Sequence, residues 1–389
     1  MKKIPEGIHE PAWMEVDLGA FEFNIKAFKS RLRANIKLMP VLKGDAYGAG
    51  AVMCAETALE CGADAIAVVR VAEAVILRQA GISEPVLNLG FCTDREIGFV
   101  IKHNIIQTIH RTDFAAKLNN AALAAGTEIK VHLNVDTGMS RSGLPLDELQ
   151  TFLDQLKNLQ SLTLEGVFTH FPTADCEDKS FTYEQIIKFK TVRDTVKRNG
   201  FENVLFHAAN TGAAIEYPES HFDIIRPGIG IYGLYASKHI SRKLGLKPVS
   251  SLRAVISHIK TVRAGCGISY GHTYMAEREM PIGTVQAGYV DGINRKLSNN
   301  GKAIVNGTLC RIVGRVTMDQ TMIELEHCPD AGIGDVATFI GADGAENIMM
   351  DDLAESVGTI AHEIQCNINH RVPRVYIKNG KIVSVKRYV

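Results

Sequence analysis

The chain has 389 residues, 46% of them hydrophobic and 22% charged, which marks a folded protein large enough for one big barrel or two domains. Its 43 Lys and Arg equal its 43 Asp and Glu, so it lacks the basic excess that phosphate-backbone binding needs, and nucleic acid is excluded as a main partner. No apolar run reaches the roughly 18 residues of a membrane span, no apolar stretch follows the lysines of MKKIPEGIHEPAWMEVD, and eight scattered cysteines lack metal-type spacing; the expectation is a cytoplasmic protein without membrane or metal.

Residues 12–18 (AWMEVDL) read as a strand that either of two domains could claim. Apolar, β-branched runs then recur at 36–43, 65–70, 85–90, 105–110, 128–136, 162–171, 203–209 and 222–228, as buried parallel strands do. Stretches of helical period separate them, at 49–63, 71–80, 94–104, 111–125, 146–159 and 182–199, with a short helix or turn after Asn210. Eight strands alternating with helices over about 200 residues predict an α/β fold, a TIM-type (β/α)8 barrel. An open doubly wound sheet is the rival, but no GxGxxG follows the first strand. Past residue 245 the pattern changes, and the boundary is placed there: a barrel over 1–245 and a mainly antiparallel β domain over 246–389. Extended runs at 250–263, 282–289, 303–306, 309–316, 321–325 and 335–340 build the second domain, with one amphipathic helix expected at 350–366. Asn306-Gly307 and Asn379-Gly380, each between strand formers, predict two-residue hairpins.

In such a barrel the C-terminal ends of the strands face the active site. Those ends carry Lys43, Asn88, Asn134 with Asp136, His170, His207 with Asn210, and Arg226. Any one alone is more economically a satisfied core or surface residue; so many polar groups closing apolar strands favour a site. Lys43 leads into the glycine-spaced turn GDAYGAG, and a desolvated lysine there can form a Schiff base. His207-Ala-Ala-Asn210-Thr211 and Arg226-Pro-Gly228-Ile229-Gly follow the seventh and eighth strands, where barrels commonly bind phosphate on free backbone amides. A lysine and a phosphate cradle at one barrel mouth suggest pyridoxal 5'-phosphate.

The run VLKGDAYGAG resembles the cofactor-attachment motif of alanine racemases. VDTGMSRSG, GVFTHFPTAD, HAANTGAA, RPGIGIYG, GISYGHTY, GYVDGINR, GRVTMDQ and HRVPRVY follow in that family's order, across both domains. The resemblance implies a pyridoxal-phosphate-binding barrel, a β domain and a homodimer whose active sites are shared between subunits. It implies that Lys43 holds the cofactor and is one of two catalytic bases, with Tyr270, from the partner's β domain, as the other. Tyr47, Asn210, Thr211, Gly228, Ile229 and His362 would surround the phosphate, His170 would lie against the ring, and Arg226 would meet the pyridine nitrogen. Arg141 and Met318 would contact a small amino-acid substrate and Tyr289 would line the entrance.

These residue types suit racemisation, in which a proton leaves one face of Cα and returns on the other, so two opposed bases are economical. Tyr270 has to ionise near neutral pH although a free phenol titrates at about 10, which calls for cationic neighbours. Two positions depart from the family: Asn134 stands where many members carry a lysine, and His362 where a tyrosine is usual. The implied activity is interconversion of L- and D-alanine, supplying D-alanine for peptidoglycan. A serine or broad-specificity racemase on the same fold is the alternative, ahead of a fold-related decarboxylase or a non-catalytic cofactor carrier.

Overall fold

In the computed structural model, which describes residues 4–388, eight short parallel strands form one sheet. In spatial order they are Lys37–Leu38, Ile224–Ile225, Leu205–His207, Leu162–Phe168, Ile129–Asn134, Ile106–Ile109, Val86–Asn88 and Ile66–Val68. A parallel bridge from Val41 to Ala67 joins the two ends, so the sheet closes into the expected α/β barrel. Met39, Val41, Ala67, Leu87, Ile106 and Ile224 pack together as one apolar cluster, a filled interior rather than a pore. The helices follow the expected alternation, and each hides an apolar stripe. In Leu149–Leu156 the buried residues are Leu149, Phe152, Leu153 and Leu156, spaced as one face of a helix. The helix Leu18–Lys29, which the sequence reading leaves unassigned, is capped by Asp17 Oδ1 accepting from Ala20 N at 3.0 Å.

The chain forms two compact units. One holds Phe21–Ala46 and Ala51–Lys247; the other holds the residues up to Ala20, Tyr47–Gly50 and the residues from Pro248 on. The second unit is built on a ten-stranded sheet in which Ala12–Asp17 lies between Ser250–Val262, antiparallel, and Arg374–Lys378, parallel. Its remaining pairings are antiparallel, in line with the expected β domain. Both Asn-Gly pairs close two-residue hairpins, with Asn306 and Gly307 at φ 49° and 77° and Asn379 and Gly380 at 53° and 72°. The single helix expected at 350–366 is two, Met350–Val357 and Ala361–Cys366; Gly358, left-handed at φ 74°, ends the first. The segment Tyr47–Gly50 is tied into this unit by Arg374, whose Nε donates to Gly48 O at 2.8 Å. Gly50 is required there, because a Cβ on it would stand 1.8 Å from the Tyr376 hydroxyl.

No helix among the described residues is long and apolar enough to cross a membrane.

Candidate active site

Lys43 does not end a strand but starts a turn two residues past the Val41 bridge. The four residues after it are left-handed: Gly44, Asp45, Ala46 and Tyr47 have φ of 65°, 52°, 57° and 53°. For a residue with a Cβ this region costs about 1–2 kcal/mol, so the turn needs anchors. Ala46 N donates to Leu42 O at 2.8 Å, and Gly44 N donates to Glu73 Oε1 at 2.6 Å. Asp45 Oδ1 accepts from Ala51 N at 2.7 Å, at the start of the next helix. One anchor distant in sequence, Glu73, and two local ones thus hold a strained turn beside Lys43, which makes it a candidate functional turn.

His170 follows the strand Leu162–Phe168 and is partly accessible. Desolvation first, then the positive charges of Arg226, Arg141 and Lys43, lower its pKa to about 3, so it is neutral at physiological pH. Three cations therefore converge on a neutral ring. Arg226 is buried; its Nη2 donates to Thr169 O at 2.8 Å and Ala208 O at 3.2 Å, and its Nη1 lies 2.7 Å from His207 Nδ1. Burial pulls its pKa down to about 9, still high enough to keep the guanidinium charged. Arg141 is exposed, on a loop organised by Asp136, whose carboxylate accepts from the amides of Gly138, Met139 and Ser140. Asn134 Nδ2 lies 3.4 Å from Ser142 Oγ, so its amide is spent on that loop rather than on Arg141.

The seventh and eighth loops meet at Thr211. Its buried hydroxyl accepts from Gly228 N at 3.0 Å and Gly230 N at 3.2 Å, which brings Thr211, Gly228 and Ile229 close together. Asn210 sits directly before Thr211. Its Oδ1 caps the helix Thr211–Glu216 by accepting from Ala213 N, and its Nδ2 donates to Phe171 O, so both ends of the amide are already engaged. Asn88 likewise bonds Gln107 inside the barrel wall. Residues without a sequence signal support the mouth: Glu73 holds the Lys43 turn, and Gln185 donates to Thr137 Oγ1 and His170 O.

In the β unit, Tyr270, Tyr289 and Met318 are 72%, 42% and 52% exposed. Their loops are stitched together, with Tyr289 N and Val290 N donating to Thr317 O and Met318 O and Ser269 Oγ to Arg315 O. Arg371 clamps the same region, bidentate on Asp291 at 2.7 and 2.9 Å and reaching Asp319 at 2.8 Å. Tyr47 is buried, which pushes its pKa up, and its ring lies 6.1 Å from that of His362.

The profile described as alanine racemase, N-terminal domain, matches residues 16–236, and that of the alanine racemase C-terminal domain matches 249–376. This chain belongs to the alanine racemase family. It is 39% identical to alanine racemase 1 of Clostridium acetobutylicum over 97% of this chain and 98% of that one. The solved alanine racemase of Clostridium difficile matches with a TM-score of 0.94 at 36% identity, over 98% of this chain and all of that one. An alanine racemase from Bartonella henselae, solved with covalently bound pyridoxal phosphate, matches at 0.85 and 25% identity over 95% of this chain and all of that one. The alanine racemase family consists of pyridoxal-phosphate-dependent isomerases.

Proposed function

We propose that the chain interconverts L- and D-alanine with Lys43 and Tyr270 as its two bases and pyridoxal 5'-phosphate as its cofactor. The observation that carries this reading is the neutral His170 at the barrel mouth, on which the charges of Arg226, Arg141 and Lys43 all act. An aromatic ring bearing a phosphate fits that donor set: Lys43 would hold it through Nζ, His170 would face the ring and Arg226 the pyridine nitrogen. Thr211, Gly228 and the amide of Ile229, together with Tyr47, would surround the phosphate, with His362 beside Tyr47. Asn210 would serve as the cap that fixes Thr211.

When bound, the cofactor supplies the electron sink that acidifies the hydrogen on the substrate's α-carbon. Lys43 Nζ moves that proton on one face and Tyr270 Oη on the other. Arg226 cannot readily yield a proton, so at the pyridine nitrogen it would leave that atom unprotonated and the sink weak, which would favour proton exchange over transamination. Arg141 would meet the substrate carboxylate, Met318 would pack on the substrate and Tyr289 would line the entrance.

The assembly we propose is a homodimer in which Tyr270 and Met318 serve the partner subunit's site; their exposure on pinned loops supports it. The balanced charge and scattered cysteines support a cytoplasmic enzyme that supplies D-alanine for peptidoglycan. His362 favours one second reading, a racemase that also accepts serine. Racemisation assays across a panel of L-amino acids, with pyridoxal phosphate added, test the reading. No turnover of any of them, by protein that binds the cofactor, would overturn it.

A further inference from the structure

Arg226 is a buried cation with no carboxylate among its hydrogen-bond partners. Its Nη1 donor instead opens a chain of contacts that leads back through the barrel. His207 Nδ1 lies 2.7 Å from Arg226 Nη1, and His207 Nε2 lies 2.8 Å from His132 Nδ1. Beyond it, His132 Nε2 is buried with no other partner than Glu165 Oε2, 3.5 Å away, and Glu165 Oε1 accepts from Lys130 Nζ at 2.6 Å. The members step from just past one strand (Arg226), through a strand end (His207) and two mid-strand positions (His132, Glu165), to the second residue of a strand (Lys130). The line therefore runs from the mouth toward the opposite rim of the barrel.

A guanidinium has donors only, so His207 Nδ1 must be the acceptor and His207 carries its proton on Nε2. That proton points at His132 Nδ1, which must in turn be bare. His132 is therefore protonated on Nε2, facing the carboxylate. Every donor points the same way, from the buried cation to Glu165.

We propose that Glu165 and His132 are positioning residues for Arg226: the carboxylate holds both histidines as their Nε2–H tautomers and so keeps an acceptor in front of the guanidinium. Without it, His132 loses the only acceptor for its Nε2–H and can carry the proton on Nδ1. His207 would then face a donor on each side, and Arg226 would lose one of the three contacts that aim it, the one that holds Nη1. The charged groups acting on His132 are Glu165, Lys130 and Arg226; burial keeps both imidazoles neutral, and the histidine and lysine hold Glu165 ionised, with its pKa lowered to about 2. The fold makes room for this line at Gly166, where a Cβ would stand 2.5–2.8 Å from the His132 ring. The value of aiming Arg226 rests on its proposed place at the pyridine nitrogen; the tautomers do not.

The test is 15N NMR of histidine-labelled protein, with and without cofactor, for Glu165→Ala, Glu165→Gln and Gly166→Ala. Wild type should show bare Nδ1 and protonated Nε2 at His132 and His207 throughout the range in which free histidine titrates. Glu165→Ala should shift His132 toward Nδ1–H and move the His207 signals. Glu165→Gln, whose amide oxygen can still accept, should restore the wild-type pattern. Gly166→Ala should disturb both rings with the carboxylate intact. In the loaded enzyme, Glu165→Ala should lower kcat about 10-fold with little change in KM, the scale of one hydrogen bond to a charged group, and Glu165→Gln should recover most of it. An Nδ1–H at either histidine in wild type, or unchanged tautomers in Glu165→Ala, would overturn the proposal. Correct tautomers in a protein that racemises nothing would sink the functional reading and leave the relay standing.

Discussion

Arg226 and His207 are buried, and every hydrogen bond that aims Arg226 comes from its own barrel. Tyr270, Tyr289 and Met318 stand in the opposite condition, exposed on loops that the β unit nevertheless pins through Arg371, Ser269 and the Thr317 and Met318 carbonyls. A buried cation is costly unless something uses its charge. An exposed side chain on a loop held by hydrogen bonds costs little to keep in place. The difference teaches that one group of candidate residues is aimed by buried hydrogen bonds within its own unit, while the other is exposed on loops held by backbone and arginine contacts. In the proposed dimer the exposed group serves the partner's barrel.

Lys43→Ala bears on the barrel half and should have the largest effect. Activity should fall to background, and borohydride reduction of the loaded protein should leave no pyridoxyl label at position 43. A label on another lysine of the wild-type protein would move the cofactor elsewhere. Tyr270→Phe bears on the exposed half. Removing a general base typically costs 10²–10⁴-fold, and the loss should be one-sided. Solvent deuterium exchange at Cα should collapse for the L-enantiomer and survive better for the D-enantiomer, the one assigned to Lys43; equal loss for both would make Tyr270 structural. Mixing the two variants then joins the halves. With random exchange half the dimers are mixed and each holds one intact site of two, so roughly a quarter of wild-type activity should return. No recovery despite demonstrated exchange would argue against shared sites.

The two regions also differ in how much of them the sequence discloses. Barrel strands are buried on both faces and leave continuous apolar runs, so all eight were legible, as were both Asn-Gly hairpins. The helix break at Gly358 was not, because an amphipathic period runs on through Met350–Cys366 while one left-handed glycine decides the end. Of the site, the residues carried by motifs were legible. Glu73, Gln185 and the pair His132 and Glu165 were not, because each acts through a partner distant in sequence. Asn210 shows the converse: a polar residue at the right place in a motif, whose amide is committed to a helix cap.

A pH titration of stability sharpens the view of the barrel as the costly half. His132, His170 and His207 all have folded-state pKa values below the ordinary 6.5, chiefly through desolvation. The unfolded chain therefore binds protons that the folded one refuses. Stability should be flat above about pH 6.5 and fall as pH drops below it, for His170 down to about 3, by up to about 1.4 kcal/mol per pH unit for each histidine that stays neutral. Denaturant midpoints measured against pH check this. His207→Gln should lose about one proton's worth of slope; an unchanged slope would mean that His207 is charged in the folded state.

The smallest expected effect falls on His362, where the family usually has tyrosine. The ring lies 6.1 Å from that of the buried Tyr47, tilted by 46°, so the two side chains are neighbours in the β unit. An imidazole is shorter than a phenol and cannot carry a donor to the same distance. The space beside Tyr47 is then roomier and more polar than a tyrosine would leave it. A polar wall can hydrogen-bond a substrate hydroxyl, whereas a closely packed ring excludes one. If that wall borders the substrate's β-carbon, alanine should be the best substrate and serine should turn over at a detectable rate. His362→Tyr should then lower the serine-to-alanine ratio of kcat/KM about 10-fold, the value of roughly one hydrogen bond. Measured kcat/KM for both amino acids decides it, because a change confined to cofactor affinity would lower both together. An unchanged or higher ratio would remove His362 from substrate selection.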